Sequence, residues 1–457
     1  MQTFDSIIIG SGQAGTPLAF KLSSEGHSVA FIEKERFGGT CLNTGCTPTK
    51  AYVASAKRIF DAKNSQHLGI IVPDGVVADL EKIKARKDEL IKGSVEGIEN
   101  ALKKNDKITV FEGEATFTGQ KELLMNDVKI KAENIFINVG GRPKVPGGFK
   151  DVNYLTNKSI LELKEIPDHL IIAGGSYIGL EFGQIFRRFG SKVTIIEKNE
   201  RIIAHEDEEV SVAVQKILEN EGVEFRLNAT CLEGKELADG SIQVSVDCND
   251  GDPDITGTHL LLAVGRDANN DTLNLHKTGL ETNEKGYLEV NDHLETKVKG
   301  IYALGDCNGH GAFTHTSYND YEILIDNLFG SKTKKLSDRI LTYVLFTDPP
   351  LARAGMTVEQ AKATGRSLKI GHRPMNRVAR AREKGETDGF MSVVVDAQTD
   401  KILGSAILGT TGDEVVSTIL TCMYADAPYT ALQDAVIPHP TVAELVPTML
   451  ESMETMG

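Results

Sequence analysis

The chain has few cysteines, no long apolar run and a deficit of positive charge. Six cysteines in 457 residues are too few for a secreted scaffold held together by disulfides. No apolar stretch reaches the roughly eighteen residues that would suggest a membrane span. The formal net charge of -15 argues against nucleic acid or an anionic membrane as the main partner. Because no basic, hydrophobic leader precedes the first predicted strand, we expect a cytoplasmic protein.

The most informative segment is GGTCLNTGCTPTK, residues 38–50, which places Cys41 and Cys46 five positions apart. Such a pair can form an easily exchanged disulfide, and in a reducing compartment it is more often catalytic than structural. Cys46 enters a predicted helix, where unpaired amides and the helix dipole favour a thiolate. Lys50 follows four residues later and shares that helical face. The other four cysteines are far apart and are predicted to be ordinary core or surface residues: Cys231, Cys248, Cys307 and Cys422.

A glycine-rich motif precedes the cysteine pair. Residues 4–9 predict a buried strand, GSGQAG follows at residues 10–15, and a helix is predicted to about residue 24. Gly10 suits the tight turn, Gly12 the close approach of a pyrophosphate, and Gly15 the packing of helix against strand. The next predicted strand ends at Glu33, where a carboxylate can accept hydrogen bonds from an adenosine ribose. This arrangement predicts dinucleotide binding.

The same pattern returns far downstream. A predicted strand at residues 169–173 leads into a second turn and a helix to about residue 189, and the following strand ends at Glu197. This second turn consists of Gly174, Gly175, Ser176, Tyr177, Ile178 and Gly179. Ser176 replaces the middle glycine, and a degenerate structural repeat is the alternative interpretation. Two dinucleotide sites together with a redox-active cysteine pair indicate a flavin and a nicotinamide working in series.

The acid at the end of the second unit bears on the choice of nicotinamide cofactor. A carboxylate at Glu197 suits the free 2′-hydroxyl of NAD, whereas a 2′-phosphate calls for arginine. Lys198 and Arg201 lie nearby in the sequence, so NADP is retained as the alternative cofactor. We therefore expect FAD as the flavin and NAD(H) in preference to NADP(H).

With these motifs, the chain resembles the class I pyridine nucleotide-disulfide oxidoreductases, which include dihydrolipoamide dehydrogenase, glutathione reductase and mercuric reductase. TKVKGIYALGD at residues 296–306 is similar to the second flavin motif of the family. NVGGRP at residues 138–143 and AVGRDAN at residues 263–269 resemble its two crossover segments. The resemblance implies an α/β fold with two Rossmann-like domains, for FAD and NAD, and a C-terminal α+β dimerisation domain.

The resemblance also implies roles for individual residues. Cys46 would lie against the flavin and Cys41 would face the substrate, while Glu181 would pair with Lys50. Tyr177 matches a tyrosine that covers the nicotinamide pocket in some members, with packing at a turn as the alternative. Further flavin contacts are implied for Thr40, Ala115, Asp306 and Thr314, and a nicotinamide contact for Gly265.

Near the C-terminus, HPTVAE at residues 439–444 matches the HPTxxE motif of the family. The acid Glu444 can fix the tautomer of His439, which suits proton transfer to and from a thiol. By resemblance this pair completes the active site of a second subunit, so a homodimer is expected. No metal site is expected.

The predicted domains are a FAD domain at residues 1–148 and a NAD(P) domain at residues 149–266. A central segment at residues 267–333 returns to the FAD domain, and the interface domain spans residues 334–457. Within the first domain, residues 80–104 predict a helical excursion.

The expected reaction passes hydride from NADH through FAD to the cysteine pair, and then to a small disulfide or oxidised thiol. FTHTSYNDYEI at residues 313–323 and FTDPPLARAGMT at residues 346–357 look closer to a mercuric-reductase-like branch. Dihydrolipoamide dehydrogenase is the second hypothesis. Reduction of mercuric or other metal ions is third, because mercuric reductases usually carry tyrosine in place of His439 and a cysteine pair near the C-terminus. A flavoprotein redox sensor without turnover is the alternative from another class.

Overall fold

The structure, a computed structural model, describes residues 1–73, 75–247 and 251–456. In these ranges the chain forms five β-sheets and twelve α-helices, numbered below in chain order. Cys248 lies outside the described residues, so the expectation for it is untested. No helix in the described ranges is both long and apolar enough to cross a membrane.

The first sheet has seven strands and is built around the first glycine-rich motif. It contains β1 (Gln2–Ile9), β2 (Val29–Glu33), β3 (Ile108–Glu112), β4 (Ala115–Gly119), β5 (Glu122–Met125), β6 (Val128–Ile137) and β17 (Ile301–Ala303). The order is β3-β2-β1-β6-β5-β4, with β17 also paired to β6. The five strands β3, β2, β1, β6 and β17 run parallel, while β4 and β5 form an antiparallel extension. Helix α1 (Gly15–Ser24) connects β1 to β2, as predicted.

The second sheet repeats this topology. Its five strands are β8 (Tyr154–Leu155), β9 (His169–Ala173), β10 (Lys192–Ile196), β11 (Val223–Arg226) and β15 (His259–Leu262). They are parallel in the order β11-β10-β9-β15-β8. Helices α5 (Tyr177–Phe189) and α6 (Glu208–Asn220) follow β9 and β10. The predicted repeat of the strand, turn and helix is therefore confirmed.

Two small antiparallel sheets accompany the second one. The first contains β12 (Thr230–Glu236), β13 (Ile242–Asp247) and β14 (Asp254–Gly257). The second pairs β7 (Gly141–Pro143) with β16 (Arg266–Ala268). The two segments that resemble crossovers thus lie side by side, where the chain leaves the first sheet and returns to it.

The C-terminal part contains a six-stranded sheet in the order β18-β19-β22-β21-β20-β23. Its strands are β18 (Thr342–Leu345), β19 (Leu351–Gly355), β20 (Leu368–Pro374), β21 (Phe390–Asp396), β22 (Ile402–Leu408) and β23 (Glu454–Met456). Every pairing in it is antiparallel. The helices of this part are α8 (Val358–Ala363), α9 (Ala379–Lys384), α10 (Gly412–Tyr424), α11 (Thr430–Gln433) and α12 (Leu445–Glu451).

The remaining helices are α2 (Gly39–Asn43), α3 (Cys46–Asn64), α4 (Leu80–Lys103) and α7 (Thr314–Phe329). The helical excursion predicted at residues 80–104 is confirmed by α4, which packs along α3. Asp79 caps α4 by accepting a hydrogen bond from the backbone N–H of Lys82.

Buried and half-buried ion pairs connect these parts. Arg188 of α5, whose side chain is only 4% exposed, pairs with Glu221 at 2.8 Å and with Asp348 at 2.7 Å. Lys57 of α3 lies 3.5 Å from the same Asp348 and 2.9 Å from Glu386. The helix that begins at Cys46 is thereby attached to both the second sheet and the C-terminal part.

Candidate active site

The two cysteines lie at the junction of α2 and α3, with Cys41 in the first helix and Cys46 starting the second. A Cβ atom on Gly45 between them would lie 2.9 Å from the carbonyl oxygen of Thr40. Because backbone cannot move aside as a flexible side chain would, glycine allows the chain to fold back this closely. Both cysteines are free thiols, and they are hydrogen-bonded to each other.

The pKa values of the two thiols are shifted in opposite directions. The hydrogen bond from Cys41 is the main cause that lowers the pKa of Cys46, to about 6. The hydroxyl of Thr314, 3.3 Å from Cys46 Sγ, and the ammonium of Lys50 act in the same direction, against the effect of burial. The same thiol–thiol bond, together with burial, raises the pKa of Cys41. At neutral pH the pair therefore holds a thiolate on Cys46 and a thiol on Cys41.

Lys50 and Glu181 form the ion pair that the resemblance implies, with Nζ and Oε2 2.7 Å apart. The Glu181 side chain is 7% exposed, so its charge acts in a weakly screened environment. Its other oxygen accepts the backbone N–H of Phe346 at 2.9 Å, and Lys50 Nζ lies 4.6 Å from the centre of the Phe346 ring. Phe346 thus holds both members of the pair.

The first glycine turn is too tightly packed for side chains. Gly10 has φ +104°, and a Cβ atom there would lie 2.3 Å from the carbonyl oxygen of Asn138. A Cβ atom on Gly15 would lie 2.3 Å from the carbonyl oxygen of Gly10. With its amide oriented for hydrogen bonding, Asn138 accepts the N–H groups of Gly12 at 3.2 Å and Gly15 at 3.0 Å. The turn therefore presents bare backbone at the start of α1, as dinucleotide binding requires.

The second turn reproduces this geometry. Gly174 has φ +110°, and its Cβ would lie 2.4 Å from the carbonyl oxygen of Ala263. A Cβ on Gly179 would lie 2.0 Å from the carbonyl oxygen of Gly174. Ser176 is the N-cap of α5 in an extended conformation, and its side chain makes no capping hydrogen bond. Both turns therefore have the tight helix–strand packing of a dinucleotide site.

The two strand-end acids are held in the same way. Glu33 accepts the backbone N–H of Ser11 at 2.9 Å, and Glu197 accepts that of Gly175 at 2.8 Å. Glu197 also accepts the backbone and side-chain N–H groups of Asn199 at 3.0 and 2.6 Å. Each carboxylate is therefore fixed beside its glycine turn.

Asp306 lies on the short segment after β17, beside the first sheet. Burial raises the pKa of its carboxyl group, and the guanidinium of Arg266 at 3.6 Å acts in the opposite direction. Among the described residues, its side chain accepts no hydrogen bond from another residue. A desolvated carboxylate of this kind suits hydroxyl donors such as those of a ribityl chain.

The remaining residues predicted to contact cofactors lie on several different elements. Thr40 is exposed on α2, and Ala115 is buried at the start of β4. Ile178 follows Tyr177 in the first turn of α5, and Gly265 has φ +119° with no atom within 4 Å of a Cβ position. Thr314, for which a backbone contact was implied, also places its hydroxyl on Cys46.

His439 and Glu444 form a pair at the surface. Nδ1 lies 2.9 Å from Glu444 Oε2, which fixes the ring orientation and leaves Nε2 free to exchange a proton. The His439 side chain is 75% exposed, while Glu444 is 15% exposed. Within the described residues, no hydrogen bond joins His439 to either cysteine of the same chain.

An aromatic cluster, here defined as Tyr177, His205, Phe313 and Tyr343, separates the second turn from the cysteines. Tyr177 packs edge-on against Phe313 and Tyr343, with ring centres 5.5 and 5.4 Å away. Its hydroxyl lies 2.7 Å from His205 Nε2. Sequence reasoning singled out only Tyr177, because the cluster joins residues that are far apart in the chain.

The fold and site together define a two-dinucleotide oxidoreductase with a cysteine pair. Residues 4–320 match the family described as "Pyridine nucleotide-disulphide oxidoreductase", and residues 341–450 match the dimerisation domain of that family. The chain belongs to this family of FAD-dependent enzymes, which act on sulfur groups with NAD(P).

Among similar proteins is the probable pyridine nucleotide-disulfide oxidoreductase RclA of Escherichia coli, 33% identical over 454 residues, which cover 97% of this chain and 98% of RclA. A mercuric reductase of Lysinibacillus sphaericus is 33% identical over 96% of this chain and 81% of its own length. A dihydrolipoyl dehydrogenase of Thermus scotoductus is 32% identical over 97% of this chain and 96% of its own. The solved Cu(II) complex of RclA, described as an HOCl-induced flavoprotein disulfide reductase, has a TM-score of 0.90 at 32% identity and covers 99% of both chains.

Proposed function

We propose that this protein is an NADH-dependent flavoprotein that reduces a small disulfide or an oxidised low-molecular-weight thiol. The observation that supports this proposal best is the difference in acidity between the two cysteines. Cys46 is the thiolate beside Lys50 and Thr314, and Cys41 is the protonated thiol. A nucleophile and a resolving group are thereby distinguished before any substrate binds.

The first glycine turn would hold FAD, with Gly10, Gly12 and Gly15 against its pyrophosphate and Glu33 on its ribose. Asp306 would accept hydrogen bonds from its ribityl chain. When bound, FAD supplies a two-electron carrier between nicotinamide and sulfur. Thr40, Lys50, Ala115 and Thr314 complete the proposed flavin contacts.

The second turn would hold NAD. Gly174 to Gly179 frame the pyrophosphate, and Glu197 accepts the 2′-hydroxyl of the adenosine ribose. Glu197 is 9% exposed and fixed by Gly175 and Asn199, so a 2′-phosphate would meet a carboxylate that cannot easily turn away. Gly265 and Tyr177 would line the nicotinamide side.

In the thiol reaction, Cys41 gives its proton to the imidazole of His439 and attacks one sulfur of the substrate. A mixed disulfide forms, and the departing thiolate takes the proton from His439. The Cys46 thiolate then attacks the sulfur of Cys41, closing the Cys41–Cys46 disulfide and releasing the second thiolate, which takes its proton from solvent. Two electrons from NADH return the pair to the dithiol state.

We propose that the His439 involved belongs to a second subunit. Its 75% exposure, its orientation by Glu444 and its place in the matched dimerisation domain support this arrangement. A homodimer would thus complete two active sites. We also propose a cytoplasmic location, and the four-part division at residues 148, 266 and 333.

Dihydrolipoamide dehydrogenase is the second candidate, supported by the similarity to the Thermus scotoductus enzyme. Metal-ion reduction is third, and the Cu(II) complex of RclA makes cupric ion a necessary test substrate. A sensor without turnover would need no His439–Glu444 pair.

The deciding experiment is a substrate panel with NADH and NADPH. It comprises glutathione disulfide, lipoamide, cystine, and mercuric and cupric ions. Sustained NADH oxidation with a disulfide supports the proposal, whereas a single stoichiometric bleach of the flavin would indicate a sensor. The variant His439→Ala should lose about two orders of magnitude in disulfide turnover, while NADH still bleaches the flavin as fast as in the wild type.

A further inference from the structure

The Tyr177 side chain is hydrogen-bonded at the entrance to the predicted nicotinamide pocket. Its hydroxyl lies 2.7 Å from His205 Nε2, and its ring packs edge-on against that of Tyr343. The His205 ring contacts both tyrosines, with centres 5.4 Å from Tyr177 and 5.6 Å from Tyr343. Tyr177 is thus restrained by its polar end as well as by ring packing.

His205 itself is held by the C-terminal part of the chain. Its neighbour Glu206 accepts a hydrogen bond from the Tyr343 hydroxyl and forms a buried ion pair with Arg353. Tyr343 and Arg353 lie on β18 and β19, and the side chains of Glu206 and Arg353 are 0% and 2% exposed. The contacts of Glu206 with these two strands therefore hold the loop that carries His205.

The position of Tyr177 bears on hydride transfer. Tyr177 begins α5, Glu181 follows it by one turn, and Glu181 holds Lys50 in the cysteine site. On its other side the Tyr177 ring packs on Phe313, which directly precedes Thr314 at the Cys46 thiolate. A nicotinamide anchored by its pyrophosphate at the start of α5, as proposed above, would meet this ring on its way to the redox centre.

We propose that His205 is a latch: its hydrogen bond holds Tyr177 closed, and so sets the fraction of molecules whose nicotinamide pocket is open. The inference rests on the proposed function, because it assumes that NADH binds at the second turn. His205 is a positioning residue, acting on the cofactor through Tyr177. When only a fraction of the molecules is open, the apparent Kd for NADH equals the intrinsic Kd divided by that fraction. The rate of the hydride step itself does not change.

The variant His205→Phe keeps a ring between the two tyrosines and removes the hydrogen bond. It should lower the apparent Kd for NADH by about three- to tenfold, the range expected for one ordinary hydrogen bond. The limiting rate of flavin bleaching and the KM for the disulfide should stay unchanged. Tyr177→Phe removes the other partner of the same bond and should give a similar shift.

The test is stopped-flow bleaching of the holoenzyme over a series of NADH concentrations. It compares the wild type, His205→Phe, Tyr177→Phe and the double variant, with FAD content measured for each. His205→Gln, which can replace the lost hydrogen bond, should restore most of the wild-type Kd. His276→Phe serves as the control, since His276 is exposed on the segment Leu275–Lys277.

If the hydrogen bond between His205 and Tyr177 holds Tyr177 closed, the double variant should have the same Kd for NADH as either single variant. Both substitutions remove the same bond. Fully additive shifts, or an unchanged Kd in a His205→Phe protein with normal FAD content, would refute it. If neither nicotinamide cofactor bleaches the wild type, the proposed function itself fails, and the latch fails with it.

Discussion

The acidity of Cys46 gives the sharpest test of the site. The wild-type thiol has a pKa of about 6, so at pH 7 it is about 90% thiolate. Thr314→Val removes the hydroxyl 3.3 Å from Cys46 Sγ while keeping the shape of the side chain. A hydrogen bond to a charged group contributes roughly 1.5 kcal/mol or more, which corresponds to about one pKa unit. The thiolate fraction at pH 7 should therefore fall to about one half.

A second variant tests which group lowers the pKa of Cys46 most. Cys41→Ala removes the hydrogen bond that lowers the pKa most, so its midpoint should rise further than that of Thr314→Val. The assay is the pH dependence of alkylation by iodoacetamide in the reduced holoenzyme, read as modification of Cys46 by mass spectrometry. Thr256→Val, at an exposed position on β14, is the control. An unchanged midpoint in Thr314→Val, or a larger shift there than in Cys41→Ala, would refute these causes of the low pKa of Cys46.

Three further predictions concern cofactor binding, the ion pair and stability. Gly15→Ala should yield protein with little bound FAD, measured by absorbance, because its Cβ would lie 2.3 Å from a backbone oxygen; Gly97→Ala, in open space on α4, should retain FAD. Glu181→Gln should slow flavin bleaching by NADH at least about tenfold in stopped flow, since Lys50 loses its charged partner; an unchanged rate would remove Glu181 from the mechanism. Arg188→Met should lower stability by about 3 kcal/mol in denaturant unfolding, because the largely buried carboxylate of Glu221 loses its guanidinium partner and Asp348 keeps only Lys57. The control for this last variant is Arg58→Met, at a side chain that is 85% exposed and should shift stability by less than about 0.5 kcal/mol.

Local features of the site could be predicted from the sequence. The glycine turns depend on steric requirements that act within a few residues, and the structure places both as expected. The helix start at Cys46 and the contact between His439 and Glu444 are likewise short-range.

Contacts between distant segments could not be predicted in this way. The sequence suggested a helix terminus as one cause of an acidic Cys46; it gave no sign of the groups that the structure adds, Cys41 as a hydrogen-bond partner and, 268 residues away, Thr314. Phe346 lies 165 residues from the Glu181 carboxylate that it binds. Nothing in the local pattern around His205 indicates Tyr177 as its partner, because tertiary folding alone brings them together.

The charge network around Arg188 has a practical consequence for anyone seeking a smaller catalyst. Trimming the chain after residue 340 would remove Asp348, and with it one counter-ion of both Arg188 and Lys57. The truncated protein would expose an apolar face and leave a guanidinium short of a partner close to the redox helix. Deletion alone would therefore not suffice. The surface around Arg188 and Lys57 would also have to be redesigned with neutral, well-packed side chains.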